Sequence, residues 1–220
     1  MSYFVTGTDT GVGKTLVSCA LLHGFAAQGR RVAGFKPVAA GCDSDGRNDD
    51  AKALLVAGNV PLRYEQVNPY CLREPIAPHL AAARENVRIE LSRLVTACRE
   101  LAAQADVVIV EGAGGFLVPL NDTQTGVDMA QQLALPVILV VGMRLGCLNH
   151  ALLTAQAIAA GGLQCVGWVA NVTDPEMAGL DENIAALQSR IAAPLLGVVP
   201  GMALPDARAA AGCLDLGLLG

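Results

Sequence analysis

Apolar positions in this chain fall into two kinds of segment that alternate from one end to the other. Six short runs, Tyr3–Thr6, Val32–Phe35, Val107–Val110, Val137–Val141, Val166–Ala170 and Leu195–Val199, are apolar at nearly every position. A strand wetted on one face alternates apolar with polar residues, so runs this continuous predict strands covered on both faces, as in a parallel sheet. Between them lie Thr15–Gln28, Asp50–Ala57, Arg88–Gln104, Val127–Leu133, Asn149–Ala160 and Asp181–Ala192, each with the length and composition of a helix. Gly29, Gly58 and Gly161 follow three of these and are expected as left-handed caps. The alternation predicts an α/β fold, a mostly parallel sheet flanked by helices on both faces, in a single domain over residues 1–220. Val60–Ala82 breaks the pattern. Its prolines, Pro61, Pro69, Pro75 and Pro78, predict a surface excursion rather than a domain boundary.

The first predicted strand runs into Gly7-Thr8-Asp9-Thr10-Gly11-Val12-Gly13-Lys14-Thr15 and then a helix. This is the order a phosphate-binding loop requires, and it makes the fold class P-loop NTPase-like. Gly11 and Gly13 free the backbone so that the amides opening the helix converge on one anion. Lys14 is then placed to reach the β- and γ-phosphates, and the Thr15 hydroxyl to meet Mg²⁺. The strict pattern has glycine where Thr8 stands, with Gly7 one residue early, so the loop is a variant. The plainer alternative is a glycine turn capping a helix with Lys14 solvated. A dinucleotide site has less support: no G-x-G-x-x-G is present, and the second strand ends in Lys36 where an acid would meet a ribose.

Carboxylates supply the next candidates. Val107–Val110 delivers Glu111 at its C-terminal end, followed by Gly112-Ala113-Gly114-Gly115, where backbone can approach a ligand closely. Asn48-Asp49-Asp50 opens a helix; capping explains it simply, and with Thr15 and Glu111 an aspartate there also completes an oxygen set for Mg²⁺. Spacing does not decide between Asp49 and Asp50. Lys36 leaves the second strand at a point made rigid by Pro37. If that strand neighbours the first, Lys36 stands beside the phosphate loop, where a second cation stabilises charge on a transferred phosphoryl group. Otherwise it is an exposed lysine at a strand end.

Composition narrows the function class. The chain is 53% hydrophobic and 16% charged, against about 25% charged for an ordinary domain. That excludes a disordered chain. Net charge is −5, from 15 Lys and Arg against 20 Asp and Glu, with no basic run, so no nucleic-acid partner is expected. The longest apolar run, Leu133–Met143, holds Pro136 and is too short to cross a bilayer. Met1-Ser2-Tyr3-Phe4 carries no signal-type pattern, so no membrane partner and a cytoplasmic location are expected. The seven cysteines are scattered with no C-x-x-C pair, and read as small buried hydrophobes in a reducing compartment.

Taken together, the loop Val5–Thr15, then Gly34-Phe35-Lys36-Pro37-Val38, Val110-Glu111-Gly112-Ala113-Gly114-Gly115, Leu145-Gly146-Cys147-Leu148-Asn149-His150-Ala151 and Gly167-Trp168-Val169-Ala170-Asn171 resemble dethiobiotin synthetases. The resemblance covers nearly the whole chain, and the ordered co-occurrence of the segments is more specific than the loop alone. It implies an ATP-dependent ligase that closes a ureido ring on 7,8-diaminononanoate with CO₂, using Mg²⁺, through a carbamate and a carbamic-phosphoric anhydride. It implies Lys36 and Lys14 as catalytic cations and Thr15, Asp50 and Glu111 as metal ligands. Nucleotide contacts are implied at Gly11, Val12, Gly13, Lys14, Thr15, Leu16, Asp50, Glu111, Gly112, Ala113 and Gly114. Around the base they are implied at Asn171, Pro200, Gly201, Met202 and Asp206. Substrate contacts are implied at Thr10, Lys36, Ala40 and the turn Gly146, Cys147, Leu148, Asn149, which in the family serves the neighbouring subunit of a homodimer whose active sites lie at the interface. Ala40 stands where the family commonly has serine. Partitioning-type switch ATPases share the loop and are the alternative class; such a switch hydrolyses ATP slowly and answers to a protein partner.

Overall fold

The computed structural model describes residues 1–219. In chain order its elements are β1 (Ser2–Gly7), α1 (Lys14–Ala27), β2 (Val32–Phe35), β3 (Val38–Ala40), α2 (Asp49–Ala57), α3 (Tyr64–Val67), β4 (Tyr70–Leu72), α4 (Pro78–Arg84), α5 (Leu91–Ala102) and β5 (Val107–Glu111). The second half adds α6 (Gly126–Leu133), β6 (Val137–Met143), α7 (Cys147–Ala160), β7 (Cys165–Val172), α8 (Leu180–Gln188), β8 (Leu195–Val199), α9 (Ala207–Ala211) and a closing 3₁₀ turn, Leu216–Leu219.

Six strands form one sheet in the order β2-β5-β1-β6-β7-β8, every neighbouring pair parallel. Side chains alternate between its faces as a strand requires. Tyr3, Val5, Val107, Ile109, Ile138 and Val140 enter one apolar layer with α1, α2 and α9. Phe4, Val108, Val110, Val137, Leu139 and Val141 enter the other with α4, α5, α6, α7 and α8. Each fully buried Val, Ile or Leu in these layers contributes roughly 1.5–3 kcal/mol of transfer free energy. This is why the strands carry no polar side until their C-terminal ends.

Those ends carry the chemistry. Because all six strands run the same way, the loop after β1, Lys36 after β2, Glu111 closing β5, Arg144 after β6, Asn171 near the end of β7 and Pro200 after β8 share one edge. In open α/β sheets ligands bind at that edge.

One open question is decided and three sequence expectations are corrected. The second strand does not neighbour the first: β5 lies between them, so Lys36 flanks Glu111 directly and meets the phosphate loop across it. Gly58 and Gly161 are not left-handed, at φ −72° each; Gly29 is, at φ 79°, and the left-handed residue after α7 is Gly162, at φ 68°. Val60–Ala82 is no loose excursion: it holds α3 and β4, and β4 pairs in parallel with β3 as a second, two-stranded sheet. Tyr64, Val67, Tyr70, Leu72, Ala81 and Ala82 from it are buried. Helix α5 also starts at Leu91 rather than Arg88, because Ile89 is spent as a fully buried plug before the helix opens.

Candidate functional site

The phosphate loop is shaped by what lies beneath it. Val12 is buried against the ends of β1 and β6, where a Cβ on Gly7 or Gly142 would fall 2.7 or 2.8 Å from its methyl groups. Gly13 sits at φ 87°, and a Cβ there would lie 2.2 Å from Asn171 Nδ2, so glycine alone fits. Asn171 in turn donates from Nδ2 to the Val12 carbonyl at 2.9 Å. Helix α1 opens with no side-chain cap, leaving its first amides free to bind an anion. Lys14 is buried and donates from Nζ to the Asp9 carbonyl at 2.8 Å. Burial pushes its ammonium down to about 8, and the Lys36 charge pushes the same way. The Asp9 carboxylate accepts from Arg144 Nη2 at 2.6 Å and from the Thr10 amide at 2.7 Å.

Beside the loop, Lys36 is buried at 4% exposure with its Nζ 2.5 Å from Glu111 Oε1 and 3.0 Å from Asp50 Oδ2. Glu111 is fully buried; its Oε1 also accepts from Thr15 Oγ1 at 2.9 Å. Burial pulls the Lys36 pKa down, but the attraction of Glu111 and Asp50 outweighs it and leaves it above the ordinary lysine value. Asp50 shows the mirror image: burial raises its pKa, and the Lys36 charge and hydrogen bond carry it below the ordinary value. Only one of the two adjacent aspartates takes part. Neighbouring helix positions point about 100° apart, and Asp49, 92% exposed in its side chain, pairs with Lys52 instead.

The donor set suits a small hard cation. Among the described residues no three His, Cys, Asp or Glu side chains cluster; the set here is the two carboxylates of Asp50 and Glu111 with the Thr15 hydroxyl, all oxygen. Glu111 Oε2 is buried with no hydrogen-bond partner, a lone pair that such an ion would satisfy.

Two clefts flank the loop. One, of about 570 Å³, lies over β7 and β8 and is lined by Gly11, Gly13, Leu16, Asn171, Pro175, Pro200, Gly201, Met202 and Pro205 among others. The other, of about 470 Å³, lies over β2 and β5 and is lined by Thr10, Lys36, Ala40, Asn48, Asp50, Gly114 and Val118, with Pro75, Ile76, Ala77 and Pro78 as an apolar wall. Lys36 and Asp50 thus stand where the second cleft meets the phosphate loop.

Residues 1–208 match the family described as an AAA domain. The chain is 56% identical to the ATP-dependent dethiobiotin synthetase BioD of Nitrosospira multiformis, over 99% of this chain and 96% of that protein. It is 54% identical to the same enzyme of Aromatoleum aromaticum, over 98% and 97%. It belongs to the dethiobiotin synthetase family. Among solved structures, the septum site-determining protein MinD of Pyrococcus horikoshii, complexed with Mg-ADP, is 17% identical at a TM-score of 0.55, covering 99% of this chain and 89% of that one. MinD of Aquifex aeolicus is 16% identical at 0.58, covering 92% and 83%. At such identities the likeness is one of fold.

The clefts gather several of the positions named from the resemblance. Asn171, Pro200, Gly201, Met202 and Leu16 line the first cleft, and Thr10, Ala40, Ala113 and Gly114 line the second. Asp206 does not line either cleft; its carboxylate caps α9, accepting from the Arg208 and Ala209 amides. Asn171 sits inside β7, one residue from its end. The turn Gly146-Cys147-Leu148-Asn149 opens α7 with Gly146 at φ 93° and no side-chain cap, and it lines neither cleft of this chain. Sequence reasoning missed the apolar wall at Pro75–Pro78. Its signal was present in the prolines: Pro78 occupies the first turn of α4, where a missing N–H costs nothing.

Proposed function

We propose that this chain joins CO₂ to 7,8-diaminononanoate at the expense of ATP and closes the ureido ring of dethiobiotin. The observation that carries the reading is a pair of buried lysines near enough to feel each other's charge, Lys14 in the phosphate loop and Lys36 lining the adjoining cleft with its apolar wall. A carbamate and a triphosphate are both anions, and something must hold them together. The free amides of α1 and Lys14 bind the phosphate tail. The base lies in the cleft with Asn171, Leu16 and Pro200–Met202. Thr15, Asp50 and Glu111 would hold Mg²⁺, which when bound supplies positive charge against the phosphate oxygens.

The chain's own residues then account for the sequence of steps. The apolar wall at Pro75–Pro78 takes the alkyl chain of the diamine and keeps water from its amines. One amine captures CO₂ as a carbamate and releases a proton. Lys36 faces the carbamate oxygen as it attacks the γ-phosphorus, the bond from that phosphorus to the β,γ-bridging oxygen breaks and ADP departs, and the ammonium offsets charge on the transferring phosphoryl group. The second amine attacks the anhydride carbon, phosphate leaves, and the ring is closed. No protein nucleophile is needed, which agrees with buried cysteines such as Cys19, whose thiol burial pushes up to about 12. Phosphate release tests the reading: it should require both the diamine and bicarbonate, and equal release without the diamine would overturn it.

Ala40 gives a graded check. A hydroxyl added at this cleft position offers the substrate one more hydrogen bond, so Ala40→Ser should lower the diamine KM by about 2–10-fold. An unchanged KM would mean that water already fills the role.

The turn at Gly146–Asn149 leaves the Leu148 and Asn149 amides free at the start of a 14-residue helix, the Cys147 amide being taken by the Arg144 carbonyl, but it lines neither cleft of its own chain. It suits a substrate carboxylate in the cleft of a second copy, so the working unit is a homodimer. Sedimentation at the monomer mass of 22.6 kDa with substrates present would overturn this. The seven free cysteines support a reducing, cytoplasmic setting; among the described residues no helix is long and apolar enough to cross a membrane.

A further inference from the structure

Lys36 and Asp50 come from different elements, yet a chain of buried hydrogen bonds ties one to the other. Asn68, buried at 4% exposure, donates from Nδ2 to the Lys36 carbonyl at 2.7 Å and to the Tyr70 carbonyl at 3.1 Å. Its Oδ1 accepts from the Tyr64 hydroxyl at 2.9 Å. Only this orientation of the amide satisfies all three contacts, since a carbonyl oxygen can only accept. The Tyr64 hydroxyl in turn accepts from the Asn48 amide at 2.7 Å, with Cys71 Sγ 3.5 Å from the same oxygen. Burial pushes the Tyr64 pKa up, so the phenol keeps the proton it gives to Asn68. Asn48 is the N-cap of α2: its Oδ1 accepts from Ala51, its Nδ2 donates to Gly41, and Asp50 follows two residues on. The Lys36 amide also donates to the Val67 carbonyl at 2.8 Å, so the lysine backbone is held on both sides by the α3 segment.

We infer that Tyr64 and Asn68 are positioning residues that fix the Lys36 backbone relative to the start of α2, and so set where the Lys36 ammonium stands against Asp50. The inference rests on the reading that Lys36 acts on the transferred phosphoryl group. Neither residue lines the second cleft, so their effect on turnover passes through Lys36 and Asp50. Tyr64 opens α3, Asn68 follows that helix and Tyr70 opens β4. They form a bracket that clamps the residue after β2 while the sheet proper ends. A displacement near 1 Å at a reacting group costs on the order of 100-fold in rate, so loosening this bracket is felt in turnover.

Tyr64→Phe is the primary test, because it keeps the buried ring, and the Arg47 guanidinium stacked 5.1 Å above it, and removes the hydroxyl alone. At saturating substrates kcat should fall about 10–100-fold, with the KM for ATP nearly unchanged and a cooperative thermal melt retained. A second arm makes the same change in a Lys36→Ala background, where it should have almost no further effect on kcat, since the group being positioned is gone. Asn68→Ser, which keeps a small donor, should recover part of the rate lost in Asn68→Ala. Normal kcat in folded Tyr64→Phe would overturn the inference, as would an equal fractional loss with and without Lys36. Near-normal turnover in Lys36→Ala alone would instead overturn the reading beneath it, so the two failures are told apart.

Discussion

Lys36→Ala is expected to lower kcat by about 100–1000-fold while ATP affinity at saturating metal changes little. On the reading proposed above, ATP binding draws on the α1 amides and Lys14, which the substitution leaves in place. The Lys36 ammonium, by contrast, lines the second cleft, where on that reading charge develops only as the carbamate attacks. An interaction made in the transition state and absent from the bound ground state lowers kcat and kcat/KM together. Stability falls as well. Glu111 is fully buried, and without Lys36 its carboxylate keeps only the Thr15 hydroxyl. Breaking a buried pair by removing one partner costs about 3–5 kcal/mol, so Lys36→Met, which restores volume but not charge, serves as a companion. Titration with ATP and single-turnover phosphate release separate binding from chemistry in both variants. Turnover near the native rate would remove Lys36 from the mechanism.

What the sequence makes legible here follows from how much signal each feature carries. Six strands covered on both faces leave continuous apolar runs, and a mostly parallel sheet was readable from them because almost no polar residue interrupts before the edge. The strand order was not. Val32–Phe35 and Tyr3–Thr6 look alike in composition, and only the pairing of Val32–Phe35 with Val107–Val110 places β5 between them. That order puts Glu111 against Lys36, so the ion pair at the heart of the site was out of reach of any argument from spacing. β3 and β4 were missed for a different reason. Each has three residues, too few to show a period, and prolines on both sides of β4 carry the stronger local signal of a turn. Tyr64 and Asn68 went unnoticed for the same cause: a tyrosine and an asparagine four apart among prolines have no distinguishing pattern, and their meaning lies in buried partners far along the chain.

The choice between Asp49 and Asp50 shows the limit from the other side. Both carboxylates are chemically equal and either suits the first turn of α2, where negative charge meets the helix dipole. Rotation per residue decides between them, and that depends on how α2 packs. Ala51, Leu54 and Ala57 are its buried face, and the helix so oriented turns Asp50 toward Lys36 and Asp49 toward solvent. The resemblance implied Asp206 as a contact around the base; in the structure an aspartate just before a short helix finds two amides within reach and caps it.

Glu111→Gln should raise the Mg²⁺ concentration for half-maximal turnover by about 10–100-fold or more, the scale seen even for groups that only support a metal ligand. The substitution keeps shape and burial but replaces one carboxylate oxygen by an amide nitrogen, which repels either the Lys36 ammonium or a metal ion. With the nitrogen turned to the Oε2 position, the unpartnered lone pair is lost. Turned the other way, the nitrogen faces Lys36 Nζ across the present 2.5 Å contact, which cannot persist between two donors. The charge on Lys36 then rests on Asp50 alone, itself half exposed. Burial pulls the Lys36 pKa down and Glu111 is the strongest force opposing it, so removing the negative charge lets the lysine deprotonate at lower pH. Glu111 also holds up Lys14, the cation at about 8 that loses its proton first, so the alkaline fall of turnover should move to lower pH in Glu111→Gln and should not move in Asp49→Asn, whose carboxylate lies outside the cluster. A metal titration that superimposes on the native curve would take Glu111 out of the ligand set and leave it as the counter-ion of Lys36.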